Sequence, residues 1–325
     1  MDLGFLGGFE VFGEKFRKLP FRITFSTDRD KRTIETYNYN FDHNSHLSDI
    51  RELDYSLLPK TSDVVIGGFP CTAWSVSGNR GGFSDKEKGG DLYLEMKRVI
   101  DHLRPKVFVA ENVDGLRSKM EDSDGEVKPA LDIILEDFRQ SGYDVQYQVL
   151  KAVDYGVPQT RVRVIIIGVR SDLGLTIRYP EPTHSEPRTL KDAIGDLENL
   201  LDSPNAPANH SSKDYSRAKF YPNKKFQGNQ KEQADKPAHT VRSEAHGNQY
   251  AHYNSVGKDP NNDDMTTWRR LTVRECARIQ SFPDTFVFPV SQSAAHHQIG
   301  NAVPPVLAWH IAKSVAEMLS QPTPQ

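Results

Sequence analysis

An α/β fold with parallel neighbouring strands is predicted by three consecutive segments. Val64-Val65-Ile66, after polar Thr61-Ser62-Asp63, is a short apolar run of the kind that forms a strand buried on both faces, and Gly67-Gly68 ends it where backbone must approach something closely. Leu92, Met96, Val99, Ile100 and Leu103 then recur at helical spacing, giving an amphipathic helix that Pro105 stops. Val107-Phe108-Val109-Ala110 is the next buried strand, with Glu111-Asn112-Val113 at its tip. Ligands of open α/β sheets bind beyond the carboxyl ends of the strands. Cys71 and Glu111 both stand at such ends. A lone Cys is more often a small buried apolar residue than a reactive one; the strand-tip position reverses that preference here.

The totals set the outer limits. At 325 residues, 37% hydrophobic and 26% charged, the chain suits a globular protein with one large unit and one smaller one. No run approaches a membrane span, and Met1-Asp2-Leu3-Gly4-Phe5 lacks the basic and apolar regions of a secretory leader, so a cytoplasmic protein without a membrane partner is expected. Cys71 and Cys276 are too few for a disulfide framework or a thiolate zinc site, and no metal site is expected. The net charge of −3 carries no global basic signature. Any nucleic-acid contact must therefore come from a local basic face.

Taken in order, residues 1–18 are rich in Gly and Phe and accommodate a short helix; a strand follows over 21–26 and ends in Asp28-Arg29-Asp30. An acidic residue at the end of such a strand hydrogen-bonds ribose hydroxyls in nucleotide-binding folds, which makes Asp28 a cofactor candidate; capping a helix over 31–39 is the equal alternative. Asp49, in Ser48-Asp49-Ile50, can meet an adenine amino group or stay a solvated loop carboxylate. The loop over 75–90 is bounded by glycines and reads as a closing flap. A helix is expected over 130–140, from Leu131, Ile134, Leu135 and Phe138, and a strand over 144–150.

Gln159, Arg161 and Arg163 alternate with Val162 and Val164 on the way into another buried strand, so they share one face. Arginines there are costly unless they meet an anion, a polar ligand or a buried ion-pair network. From Tyr179 to Trp268 no long apolar run appears, and basic residues interleave with aromatics, as in Lys213-Asp214-Tyr215-Ser216-Arg217-Ala218-Lys219-Phe220-Tyr221. That mixture suits phosphate contact and base stacking, or an ordinary loop-rich surface. Thr272-x-x-Glu275 is a capping box opening a helix that holds Cys276 in a structural place. Gln298-Ile299-Gly300-Asn301-Ala302-Val303-Pro304-Pro305 leads into a last helix with Leu307, Ile311 and Val315 on one face.

The order of the motifs Gly-Phe-Pro-Cys, Glu-Asn-Val, Gln-x-Arg-x-Arg, Arg-x-Leu-Thr-x-Arg-Glu-x-Ala-Arg-Ile-Gln and Gly-Asn-Ala-Val-Pro-Pro closely resembles that of the bacterial DNA (cytosine-5)-methyltransferases. The resemblance spans nearly everything outside 179–268. It implies a Rossmann-like methyltransferase sheet with helices on both faces over 1–178, a small loop-rich target-recognition domain over 179–268, and a segment over 269–325 that returns to the catalytic domain. It also implies the activity: transfer of a methyl from S-adenosyl-L-methionine to carbon 5 of a cytosine flipped out of duplex DNA, in a restriction-modification setting with a cognate endonuclease. By resemblance Cys71 is the nucleophile, Glu111 holds ring nitrogen 3 and the amino group, Arg163 binds the carbonyl oxygen at position 2, and Arg161 holds the site together. Phe5, Asp28, Arg29, Asp49, Ile50, Phe69, Pro70, Leu92, Asn301 and Val303 are the implied cofactor contacts; Ser75, Arg80 and Gln159 are the implied DNA contacts.

Some positions depart from the family pattern. Thr72 stands where Gln usually follows the catalytic Cys, Trp74 where Phe is usual, and Arg29 where a bulky apolar residue often covers adenine. Met1-Asp2-Leu3-Gly4-Phe5 matches only the tail of the family's Phe-x-Gly-x-Gly-Gly opening, so a chain starting inside the first cofactor motif, without the sheet's first strand, is expected. A tRNA cytosine-5 methyltransferase on the same scaffold and a DNA-binding protein without catalysis are the rival readings. A monomer is expected.

Overall fold

The computed structural model describes residues 1–69, 91–123, 126–214, 230–243, 253 and 268–321. Its elements, in chain order, are α1 (Asp2–Leu6), β1 (Phe9–Val11), β2 (Glu14–Phe16), β3 (Thr27–Asp28), α2 (Lys31–Asn40), β4 (His46–Leu47), β5 (Val64–Gly68), α3 (Leu92–Leu103) and β6 (Val107–Val113). There follow β7 (Met120–Ser123), β8 (Glu126–Pro129), α4 (Ala130–Gln140), β9 (Tyr143–Lys151), β10 (Val162–Arg170), α5 (Leu190–Ile194), α6 (Val273–Ile279), α7 (Gln292–Asn301) and α8 (Pro305–Leu319). The main sheet has four strands in the order β5-β6-β10-β9. β5 and β6 run parallel, as the connecting α3 requires, while β10 is antiparallel to both of its neighbours.

Alternation along β6 explains the two cores. Val107 and Val109 point into one cluster with Ile165, Ile167, α1 and α8; Phe108 and Ala110 point into the other with Val164, Ile166, α3 and α4. Helices therefore cover both faces. Leu307, Ile311 and Val315 of α8 are fully buried, and each contributes roughly 1.5–3 kcal/mol by leaving water. A third cluster joins α5, α6 and α7 to Ala238, Val241 and Tyr253.

The strands leave no slack at β10. Gly168 lies opposite Phe108, and a Cβ there would come within 2.0 Å of the Phe108 ring. Gly168→Ala is expected to cost about 1–3 kcal/mol by overpacking, read as a lowered urea midpoint at unchanged slope; an unchanged midpoint would show that the ring can step aside.

Several sequence expectations shift. The strand expected over 21–26 forms at Thr27–Asp28 instead, pairing with β4, and residues 9–16 form a hairpin beyond the expected short helix. The cap of α2 is Asp30, whose carboxylate accepts from the Arg32 N–H; Asp28 is not the cap. The hairpin of β7 and β8 was not anticipated. The composition break at Tyr179 does not coincide with a break in packing: the Tyr179 hydroxyl donates to the Gln146 and Ile165 carbonyls, and Leu190, Ala193, Ile194 and Leu197 pack with α6. Polar composition marked exposed connecting chain there, while a few apolar residues still found the core. No helix among the described residues is long and apolar enough to cross a membrane.

Candidate active site

Backbone pairing brings the predicted groups together. Gly68, the last residue of β5, lies opposite Glu111 of β6, and Val113 lies opposite Arg163 of β10. Glu111 and Arg163 are thus diagonal neighbours on one face of adjacent strands, within reach of long side chains. Arg163 Nε is 2.6 Å from Glu111 Oε1, with both side chains nearly buried at 13% and 11% exposure. The contact is an ion pair without hydrogen-bond alignment: Glu111 Oε1 has no aligned donor among the described residues. A buried carboxylate oxygen in that state is one a ligand can satisfy.

The strand end is kept clear for it. A Cβ on Gly68 would lie 3.2 Å from Glu111 Oε2, so glycine leaves the carboxylate its space. Asn112 Nδ2 donates to the Phe69 carbonyl at 3.2 Å, fixing the chain as it leaves β5. Cys71 follows two residues later in sequence; Pro70, Cys71, Ser75 and Arg80 lie outside the described residues, as does the basic and aromatic stretch over 215–226.

Arg161 and Gln159 occupy different surroundings from Arg163. Arg161 is 1% exposed and donates to the Val241 and Gly300 carbonyls, both at 3.0 Å. It clasps the scaffold, tying the approach to β10 to residue 241 and to the last turn of α7. Gln159 is fully buried, donating to the Ile279 carbonyl and to Gln280 Oε1 and accepting from the Val241 N–H. The expected DNA contact by Gln159 is therefore corrected: every polar atom of its amide is already engaged inside the protein.

A second group of predicted residues gathers beside the same sheet edge. Asp28 and Leu47 are opposite each other on parallel β3 and β4, and the Asp28 carbonyl accepts from Ser48 N–H, which sets Asp49 close to Asp28. Burial pushes the Asp28 carboxyl above its ordinary range, against the pull of the Asp30 N–H and Arg29. Asp49 caps the short turn Ile50–Glu52, and an ion pair of Arg51 with Asp91 at 2.9 Å pins that turn to the start of α3, where Leu92 is buried. Arg29 is largely exposed and lies 3.8 Å from Asp49.

Phe69 is buried with Leu92, and Ile50 packs against that cluster. Asn301 ends α7, in contact with His297 at 3.1 Å, and Val303 is buried just beyond. Gln298, one turn before Asn301, has both amide atoms buried without a partner among the described residues. Phe5 is placed in the core, its ring 5.2 Å from that of Phe21. A carboxylate at the end of β3, a second capping the next turn and an apolar wall of Phe69, Leu92 and Ile50 fit a ligand with ribose hydroxyls and a flat base.

Cys276 is fully buried in α6, where burial pushes its thiol well above the usual range; it is structural, as expected. No group of three or more potential metal ligands gathers among the described residues. Sequence reasoning missed Gln280, although it lies inside a quoted motif; its amide gains meaning only from Gln159, Ile299 and Ala302, which it meets in space.

Comparison with known proteins gives one result. The family model for C-5 cytosine-specific DNA methylase matches residues 4–317. Type II methyltransferase M.BsuRI of Bacillus subtilis is 37% identical over 94% of this chain and 70% of its own length, and type II methyltransferase M.FnuDI of Fusobacterium nucleatum is 36% identical over 94% and 91%. Among solved structures, the S. pombe Dnmt2 methyltransferase aligns with a TM-score of 0.64 at 14% identity over 93% of each chain, a likeness of fold.

Proposed function

The chain belongs to the C-5 cytosine-specific DNA methylase family, and from that premise we propose that it methylates carbon 5 of a cytosine flipped out of a specific duplex DNA sequence, through a covalent bond to Cys71. The observation that carries this reading is the near-buried Glu111–Arg163 pair beside the end of β5, the strand that leads on to Cys71, with Glu111 Oε1 lacking an aligned donor among the described residues. Carbon 5 of cytosine is a poor nucleophile. Addition of the Cys71 thiolate to carbon 6 moves electron density to carbon 5, and the ring must be held while that density develops. Glu111 meets nitrogen 3 and the exocyclic amino group, sharing a proton with the ring, and the Arg163 guanidinium meets the carbonyl oxygen at position 2. Arg163 also holds the Glu111 carboxylate in place.

S-adenosyl-L-methionine supplies the electrophilic methyl. Asp28 suits its ribose hydroxyls, Asp49 and Ile50 its adenine, Phe69 and Leu92 the apolar wall, and Asn301 and Val303 the remaining contacts. A base inside a duplex cannot reach these groups, so extrusion is part of the reading. Ser75 and Arg80 belong to the loop expected to close over the flipped base, and the 179–268 region to sequence recognition. A cognate endonuclease, a cytoplasmic setting and action as a monomer complete the proposal.

Unmethylated DNA containing 5-fluorocytosine tests it. With cofactor, the wild-type chain is expected to form a denaturation-resistant adduct, because fluorine blocks the elimination that would release the sulfur, and Cys71→Ser is expected to form none. An adduct that persists in Cys71→Ser would overturn the assignment of the nucleophile. Methylation of tRNA in place of DNA would overturn the substrate.

A further inference from the structure

We propose that Gln280 is a positioning residue for cofactor binding, acting through the end of α7; the inference rests on reading Asn301 and Val303 as cofactor contacts. Gln280 is fully buried immediately after α6. Its two amide hydrogens go to the carbonyls of Ile299 at 2.9 Å and Ala302 at 2.6 Å, which bracket Asn301. Its oxygen accepts from Gln159, whose own amide also donates to the Ile279 carbonyl at 2.9 Å and accepts from Val241 N–H at 3.2 Å.

Carbonyls in the last turn of a helix lack a full set of intrahelical partners. At the end of α7 they are met from outside: Gln280 takes Ile299 and Ala302, and Arg161 takes Gly300. Gly300 closes the arrangement, since a Cβ there would lie 2.1 Å from the backbone carbon of Arg242. The turn that presents Asn301 is therefore held by side chains from the residue that follows α6 and from the approach to β10, and Gln159 and Arg161 also bind residue 241, within the variable region. With the amide nitrogens and oxygens of both Gln159 and Gln280 engaged, a buried network of this kind specifies one backbone arrangement. Without the Gln280 amide the helix end frays, and a ligand resting on Asn301 and Val303 must order it on binding.

Gln280→Met keeps length and apolar volume while removing both donors and the acceptor. With unmethylated bacterial genomic DNA as substrate, the variant is expected to show a KM for S-adenosyl-L-methionine and a calorimetric Kd for S-adenosylhomocysteine raised about tenfold, with kcat within about twofold of wild type. Unchanged affinity with a lowered melting temperature, or a fall in kcat alone, overturns the inference. Wild-type protein that binds no S-adenosylhomocysteine overturns the cofactor reading and this inference together. Amide exchange on the wild-type chain gives a second reading independent of any variant: S-adenosylhomocysteine should slow exchange at Asn301 to Val303 and also at Val241. Slowing at the former alone would show that the network does not act as a unit.

Discussion

Glu111→Gln should lower kcat by roughly a hundredfold to ten-thousandfold while leaving cofactor affinity and most of the stability in place. The amide has the carboxylate's shape, so the space left by Gly68 still fits it and its oxygen can still face Arg163. What disappears is the ability to exchange a proton with ring nitrogen 3 and the negative charge beside a guanidinium that is only 13% exposed. The second loss has a structural cost, because an arginine left without its counter-charge in a near-buried place is destabilising. Glu111→Ala removes the oxygen that faces Arg163 as well as the charge and is expected to lose more stability than the glutamine variant, so that the two compared separate chemistry from packing. The measurements are steady-state kinetics on unmethylated DNA with thermal unfolding in parallel. A glutamine variant retaining more than about a tenth of the activity would remove Glu111 from the chemistry.

Arg274→Met should produce the largest loss of stability. Arg274 is fully buried in α6, donating to the carbonyls of Ala208 at 2.9 Å, Pro283 at 3.0 Å and Phe286 at 2.7 Å, with Asp284 3.8 Å away. Burial pulls its pKa down to about 10, so it stays charged at neutral pH. Methionine fills much of the same volume but leaves three carbonyls without their donor. At about 1–3 kcal/mol for each unsatisfied group, with part recovered by relaxation, a loss on the order of 3–5 kcal/mol is expected. Lys313→Met is the control: its contact with Glu317 is 3.9 Å long and solvated, worth a few tenths of a kcal/mol at most. Chemical denaturation of both variants decides the matter. Equal midpoints would mean that the carbonyls of 208, 283 and 286 find water instead.

Strand β6 shows why much of this was legible in the chain. Four apolar residues followed by Glu-Asn-Val read as a buried strand with polar groups toward its end, because burial on both faces favours an unbroken apolar run. The capping box of Thr272 and Glu275 appeared as read, its two reciprocal hydrogen bonds being local in sequence. Residues 21–28 failed the same treatment. The strand there has only two residues, fixed by pairing with His46–Leu47, and no periodicity can develop over so short a span.

Residue types and their order determined the elements of the main sheet, the covering helices and the identities of Glu111, Arg163 and the carboxylates proposed to meet the cofactor. Each of those rests on patterning within one segment or on motif order. The tertiary structure alone decided that β10 lies antiparallel beside β6, so that Arg163 meets Glu111, and that Gln159 faces inward to Gln280 instead of outward to DNA. Those outcomes depend on register between strands and on hydrogen-bond partners more than a hundred residues away, and neither leaves a periodic trace in the chain that folds to make them.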